Sequence, residues 1–351
     1  MMSSRSSSLL RQLYKRLVWN RQFSSTAPTL DSCTANERDP APIFFDERIQ
    51  DLLVILTRID YEKVFAPRKE GVRFSTPECR FMTDEELKAA QAAMEKKARG
   101  RLQMPPVVKP RVDANQVLSK DFGIQGFSDT NIVFTDISFG GTNRHRLIVV
   151  REPSGILRHA NTKERHRMNQ VYFPIKDREI HTPKMFSDPY FKDLLEREEF
   201  VFILDRACLQ FEPDDSDYQK ITQTVYSTVN QWKKFDALRS TRHFGPMAFY
   251  LTWEKKIDDL LQDVIKNEKI EEAAALIRLY HLVHPDARSG QEATRNDLEL
   301  IRRYAELDAA DRFGITKALD KYELMYEEKQ KVIDGIKKSH GQIENTDEPK
   351  T

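Results

Sequence analysis

Two histidines near the C-terminal end of this 351-residue chain have the type and spacing of metal ligands. His281 and His284 are three residues apart, so on a helix both imidazoles would share one face and could meet the same ion. A metal site needs further ligands, and nothing nearby offers them at a suitable spacing. We therefore favour the alternative, ordinary histidines at a helix end, where a cation also favours the helix dipole.

Other sequence motifs for catalysis or ligand binding are mostly absent. The acidic run at residues 212–215 fits a helix start, where acidic side chains are favoured, better than a catalytic pair. The sequence has no phosphate-binding glycine loop, dinucleotide fingerprint, zinc-protease motif or nucleophile elbow. Cys33, Cys79 and Cys208 show no CxxC spacing, so each is expected as a reduced thiol, with a site shared between chains left open. We predict no enzyme, small-molecule substrate, cofactor or metal.

Basic side chains are the remaining functional signal. Residues 140–184 contain ten Lys or Arg against four acidic residues, and residues 88–111 contain seven against Glu95 alone. Guanidinium groups bind phosphate in a bidentate fork, so these segments suit limited contact with RNA. The alternative is a solvated charged face. The candidate RNA- or partner-contacting residues are Arg144, Arg146, Arg151, Arg158, Arg165, Arg167, Arg239 and Arg242.

A small sheet and one helix must position most of these arginines. The β-branched runs Ile132–Ser138 and Leu147–Arg151, with a type I turn at residues 152–155, predict two or three antiparallel strands. Asn161 and Glu164 form a capping-box pattern that begins a helix ending before Pro174. A hairpin rim and one helix can follow a phosphate backbone. Arg239 and Arg242 are expected one helical turn apart.

The remaining segments predict amphipathic helices. Asp46 precedes one helix, and Thr83 with Glu86 begins another whose apolar stripe runs through Leu87, Ala90, Met94 and Ala98. From residue 188 onward the pattern is almost entirely helical. Ser216 with Gln219 suggests a capping box, residues 249–264 suggest one long helix, and further stripes cover 270–280, 298–305 and 315–336. We expect this half to depend on buried Trp253, Leu260 and Tyr326.

These elements predict an α+β fold that is predominantly α: a small antiparallel β-sheet in the middle, followed by a C-terminal array of antiparallel helical hairpins. The predicted divisions are a transit peptide at 1–23, a flexible lead-in at 24–42, an N-terminal α+β region at 43–184, a C-terminal helical domain at 185–338 and a disordered tail at 339–351. No stretch is apolar and long enough to span a membrane.

The N-terminus indicates the compartment. Positions 1–23 hold five basic residues, and the first acidic residue is Asp31. An amphipathic, Ser- and Arg-rich, acid-poor start is typical of a mitochondrial transit peptide, and Arg21 with Phe23 suggests cleavage before Ser24. A basic tail on a cytosolic protein is the alternative. Removal of positions 1–23 changes the net charge from +1 to −4, which excludes a protein that coats RNA over most of its surface.

Several short segments resemble, in the same order, the family of protein twenty-two of the mitochondrial small ribosomal subunit. The likeness covers roughly residues 75–290. The segments that carry it are Arg101-Leu102, Met104-Pro105-Pro106-Val107, Val133-Phe134-Thr135-Asp136-Ile137-Ser138, Ile148-Val149-Val150-Arg151-Glu152-Pro153-Ser154-Gly155, Arg167-Met168, Gln170-Val171-Tyr172-Phe173-Pro174, Phe211-Glu212-Pro213-Asp214, Leu238-Arg239-Ser240-Thr241-Arg242, Phe244-Gly245, Leu279-Tyr280-His281 and His284-Pro285-Asp286.

The resemblance implies a structural ribonucleoprotein component in the body of the animal mitochondrial small ribosomal subunit, without catalytic activity. It implies other small-subunit ribosomal proteins as partners, limited contact with small-subunit rRNA and a place in the mitochondrial matrix. It supplies no residue-level site list, so the candidate arginines rest on charge and placement. Two alternatives stay open: a matrix helical-repeat adaptor that is not stably part of the ribosome, and a matrix enzyme, which would need convergent titratable groups in a pocket.

Overall fold

The protein is described by a computed structural model that covers residues 38–66, 79–111, 116–138, 140–143, 145–291 and 296–339. Within these residues it contains 14 α-helices and a small four-stranded antiparallel sheet, which confirms the predicted fold class. The transit peptide and most of the predicted lead-in and tail lie outside the described residues. The divisions drawn along the chain therefore stay predictions.

Four helices precede the sheet: α1 (Pro40–Phe44), α2 (Glu47–Thr57), α3 (Tyr61–Phe65) and α4 (Asp84–Arg101). The side chain of Asp46 accepts a hydrogen bond from a first-turn N–H of α2, which confirms that predicted start. Thr83 and Glu86 form the predicted capping box of α4. Along the predicted α4 stripe, Ala98 is buried, whereas Leu87 and Met94 are exposed.

The sheet consists of β1 (Val117–Lys120), β2 (Ile132–Thr135), β3 (Ile148–Arg151) and β4 (Ile156–His159), in the order β1-β4-β3-β2. Val150 lies opposite Val133 on one side and Arg158 on the other. The predicted turn joins β3 to β4, with the N–H of Gly155 donating to the carbonyl of Glu152 at 2.9 Å. The β1 strand was not predicted, because its residues are all exposed and show no alternation of apolar and polar side chains.

Ten helices follow the sheet. The first of them, α5, begins after Asn161 and ends before Pro174, as predicted. Their bounds are α5 (Thr162–Tyr172), α6 (Tyr190–Glu196), α7 (Phe200–Gln210), α8 (Ser216–Trp232), α9 (Phe235–Leu238), α10 (Phe244–Trp253), α11 (Asp258–Lys266), α12 (Ile270–Val283), α13 (Asp297–Leu307) and α14 (Arg312–Ser339). Neighbours such as α7 with α8, and α12 with α13, pack together as hairpins. The α12 helix is buried almost all round, so it occupies the centre of this half.

The helical core extends beyond residues 185–338. Helix α12 packs against α2 as well as against α10, α11 and α13. Leu53 and Leu56 of α2 are fully buried in the same apolar cluster as Leu276 and Ile277 of α12. The N-terminal helix α2 therefore forms part of the core of the C-terminal half, because burying its apolar stripe requires a partner face.

The single long helix predicted over residues 249–264 is wrong, because the chain breaks between α10 and α11. Lys255 adopts the left-handed conformation with φ 57°. Its N–H donates to the carbonyl of Thr252, and the N–H of Lys256 donates to that of Leu251. This is the hydrogen-bond pattern of a Schellman helix end. Such ends usually carry glycine, so a lysine there left no signal in the sequence.

Two further predictions are corrected. Helix α8 is capped by Asp215, whose side chain accepts from the N–H of Asp217, and not by Ser216. The Gln219 side chain donates instead to the carbonyl of Val108, at 2.7 Å. Leu260 is fully buried as predicted and Trp253 is partly buried, but Tyr326 is exposed on the second half of α14.

Candidate functional site

A small apolar cluster fixes the frame of the basic middle region. Ile148 and Val150 of β3 are fully buried with Ala160, and Val133 and Met168 pack against them. Because Met168 lies on α5, this contact joins the helix to the sheet. The predicted arginines of residues 140–184 are therefore carried by the sheet, its connecting loop and one helix, which are packed together.

Arg146 is directed into the protein and is only 5% exposed. Its guanidinium donates to the carbonyls of Asp136, Ser138 and Gly141 at 2.8–3.1 Å. It also lies 3.6 Å from the centre of the Phe173 ring. Because the guanidinium donates to three backbone carbonyls and lies over an aromatic ring, it holds the loop before β3 in place. The structure thus gives Arg146 an internal role in place of the expected surface contact.

Arg158 is also engaged within the fold. Its guanidinium binds Glu152 at 2.7 Å and pairs with Glu164 at 2.9 Å, which joins β4 to the first turn of α5. Glu164 simultaneously accepts from the N–H of Asn161, completing the predicted capping box. The hydrogen bonds from Arg158 lower the pKa of Glu164 below its usual value. Arg151 is half-buried, 5.9 Å from the centre of the Phe134 ring.

Helix α5 carries the other two candidates of this region. Arg165 is half-buried and donates to the carbonyl of Arg146 at 2.8 Å. Burial, and secondly the neighbouring Arg111, lower the pKa of Arg165. Arg167 is exposed, the one such residue among the seven candidates that the structure describes. Arg144 lies outside the described residues.

Arg239 and Arg242 do not lie one helical turn apart, because residues 239–243 form the turn between α9 and α10. Arg239 is buried, and its guanidinium pairs with Asp263 at 2.9 Å, Asp236 at 3.2 Å and Glu272 at 3.4 Å. Arg242 pairs with Asp205 at 2.5 Å. These two arginines connect helices inside the C-terminal half. Arg239 is buried away from any surface contact, whereas Arg242 is partly exposed and its contact role stays a prediction.

A polar cleft of about 630 Å³ lies between α5 and the start of α8. Inside it, Arg111 pairs with Asp214 at 2.7 Å, so part of its charge is neutralised internally. Burial raises the pKa of Asp215, which also lines the cleft. Both signs of charge are therefore present, which does not suit a site for a free anion.

The exposed cations that line this cleft are Lys163, Arg167 and Lys220. Lys163 and Arg167 are four residues apart on α5 and share one face of the helix. Lys163 was not among the predicted contact residues, although its spacing of four residues from Arg167 indicates a shared helix face. Lys220 is brought near them by the tertiary fold, which no local pattern could indicate.

The two histidines with metal-like spacing have separate protein partners. The imidazole of His281 contacts the Ser289 hydroxyl at 2.7 Å, and that of His284 contacts the carbonyl of Thr252 at 2.8 Å. Burial lowers the pKa of His281. In the described part of the chain, no three His, Cys, Asp or Glu side chains are arranged to hold a metal ion. None of the described helices is long and apolar enough to cross a membrane.

Comparison with known proteins yields one consistent result. Residues 42–285 match the family described as mitochondrial 28S ribosomal protein S22. The chain is 40% identical over 285 residues to the small ribosomal subunit protein mS22 of Bos taurus, covering 80% of this chain and 79% of the bovine protein. It is 39% identical to the Mus musculus protein of the same name, with the same coverage. The family match thus includes the sheet, α5 and the helices through α12.

Proposed function

This chain belongs to the family of mitochondrial 28S ribosomal protein S22, and we propose that it is a structural component of the mitochondrial small ribosomal subunit. The observation that carries the proposal is the family match, which covers most of the folded chain. A structural role in subunit assembly and mitochondrial translation also suits a protein whose sequence lacks catalytic motifs. The matrix is the proposed compartment.

We propose that contacts with other ribosomal proteins predominate over contacts with rRNA. The mature chain would carry a net charge of −4, which limits attraction to phosphate. Arg146, Arg158 and Arg239 bind groups of their own chain. Exposed apolar side chains such as Leu87 on α4 and Ile333 on α14 suit contact with proteins.

For the limited rRNA contact, we propose the exposed cations beside the cleft, Arg167 and Lys163, as the first candidates. Arg144, which precedes strand β3 in the sequence, and the half-buried Arg151, which ends that strand, remain candidates. Crosslinking of purified small subunits, followed by identification of the peptides bound to RNA, tests the assignment. We expect RNA-linked peptides from residues 140–184. RNA-linked peptides confined to the helices after residue 185 would contradict it.

The alternative of a free helical adaptor is tested by sedimentation. In a sucrose gradient of mitochondrial lysate, we expect the chain to migrate with small subunits. We expect this association to resist moderate salt, because apolar burial is less sensitive to ionic strength than phosphate contact. A chain that stays in the light fractions at physiological salt would favour the adaptor.

A further inference from the structure

The C-terminal helix α14 carries an apolar stripe with a regular heptad spacing. Its positions alternate steps of four and three residues, which is the spacing of the core positions of a coiled coil. We call these positions the α14 seam; six are apolar or aromatic and Lys329 interrupts them, the full set being Ile315, Leu319, Tyr322, Tyr326, Lys329, Ile333 and Ile336. The seam lies beyond the segment that matches the family, which ends at residue 285.

The first half of the seam is covered by this chain's own helices. Ile315 and Leu319 are buried, and α14 packs there against α11 and α13. Helix α11 has 9 residues and α14 has 28, so they extend about 14 Å and about 42 Å at 1.5 Å per residue. The ion pair from Lys329 to Glu268, just after α11 ends, joins α14 to the end of its covering helix.

The second half of the seam continues past the end of α11 without a covering helix in the described structure. Tyr326 is 52% exposed and Ile333 is 41% exposed. Val332, which flanks the seam, is 62% exposed. The seam positions are therefore buried where α11 and α13 pack against α14 and exposed farther along the helix.

The charge of this half favours a protein partner over RNA. Residues 323–339 contain four lysines and four acidic residues, so the segment has no net charge to attract phosphate. Lys329 is paired with Glu268 of its own chain, so its charge does not oppose an apolar partner. The proposed ribosomal function surrounds this chain with other proteins, so we assign the partner to one of them, and a second copy of this chain is an outcome that the test below distinguishes.

We propose that the exposed half of the α14 seam binds an amphipathic α-helix of another small-subunit protein, which continues the packing that α11 begins. The partner is recognised by apolar side chains at heptad spacing, in the manner of a helix in a groove. The inference rests on the proposed ribosomal function and specifies one of its protein contacts. It concerns residues 326–336, away from the basic rim.

Site-specific photocrosslinking identifies the molecule that binds the exposed half of the α14 seam. A benzophenone amino acid replaces Ile333 in the full chain, and in a matched chain it replaces Leu324, which is 63% exposed on the opposite face of α14. Small subunits containing each chain are purified and irradiated. We expect the probe at residue 333, but not at 324, to capture one segment of another ribosomal protein. Capture of rRNA alone, capture of a second copy, or equal capture from both positions would overturn the proposal.

A pair of substitutions provides a second measurement. Ile333→Asp is expected to reduce the fraction of chain in small subunits by about tenfold or more, since a central apolar anchor dominates such an interface. Leu324→Asp, the same chemical change on the opposite face, should leave that fraction unchanged. Thermal melting of the two free chains checks that both fold. Equal incorporation of the two variants into small subunits would contradict the seam proposal. Failure of the wild-type chain to enter small subunits would contradict the proposed function itself.

Discussion

At the scale of single residues, three of the candidate arginines connect parts of the protein's own fold. Arg146 binds three backbone carbonyls, Arg158 binds two glutamates and Arg239 binds three acidic side chains. A composition count cannot separate these from contact residues, because the side chain is the same in both roles. Burial and the positions of the acceptors make the distinction.

The distinction can be tested with Arg146 and Arg167. Arg146→Ala is expected to lower the free energy of unfolding by about 2–4 kcal/mol, because it removes a buried guanidinium with three hydrogen bonds and a contact with the Phe173 ring. The matched change Arg167→Ala, on the exposed face of α5, should stay within about 0.5 kcal/mol. Urea unfolding of the two purified chains measures both. Equal destabilisation would mean that Arg167 is structural as well.

The ion pair of Glu164 predicts a defined pH dependence. Because its pKa in the folded chain lies below the ordinary value of 4.5, the carboxylate contributes stability above that pH and loses it as the pH falls through the folded value. Glu164→Gln should therefore be less stable than the wild type at pH 7, by about 1–3 kcal/mol. Unfolding measured from pH 7 to pH 3 should show the two chains converging below pH 4.5. For comparison, Glu327→Gln on the exposed half of α14 should follow the wild type throughout.

At the scale of elements, several helices end in a left-handed residue that is not glycine. Glu198, Lys233, Lys255 and Glu268 all have φ between 56° and 60° and lie one or two residues after the ends of α6, α8, α10 and α11. In each case the next residue donates its N–H back to the last turn, as in a Schellman end. Tertiary packing thus imposes turns that local preference alone would not select.

One of these helix ends offers a stabilising substitution. Lys255→Gly should raise the free energy of unfolding by about 0.5–1 kcal/mol, because glycine adopts the left-handed conformation without steric cost. The same replacement inside an exposed helix, Lys220→Gly in α8, should lower it by about 1 kcal/mol. Thermal unfolding of the pair tests the assignment of the turn. Loss of stability in both variants would show that the Lys255 side chain matters more than its backbone.

At the scale of the whole molecule, long-range contacts join segments that sequence patterns keep apart. Arg58, just after α2, forms an ion pair with Glu272 of α12, and Glu272 also pairs with Arg239. The N–H of Ser240 donates to the carbonyl of Thr57 at 3.0 Å. These contacts explain why α2 is part of the helical core. Changes near residue 58 should consequently affect the C-terminal half.

Import is a property of the complete chain, and its test lies at the N-terminus. We predict that the mature protein begins at or near Ser24, because the first 23 residues have the composition of a transit peptide and Arg21 lies two residues before Phe23. Mass spectrometry of the protein from purified mitochondria should find this terminus. An intact Met1 in the mitochondrial form would remove the presequence interpretation.

The sequence by itself was sufficient for the fold class, for the family and for helix starts such as those at Asp46, Thr83 and Asn161. Each of those starts depends on a hydrogen bond between residues two or three positions apart, so the information is local. Tertiary structure alone decided the break between α10 and α11, the burial of Arg146 and Arg239, and the exposure of half the α14 seam. Those features depend on groups that are distant along the chain, such as Arg239 with Asp263 and Glu272, and on the length of a neighbouring helix. An apolar stripe or a basic run indicates what kind of surface a segment can bind. Only tertiary packing determines whether another part of the same chain covers that segment.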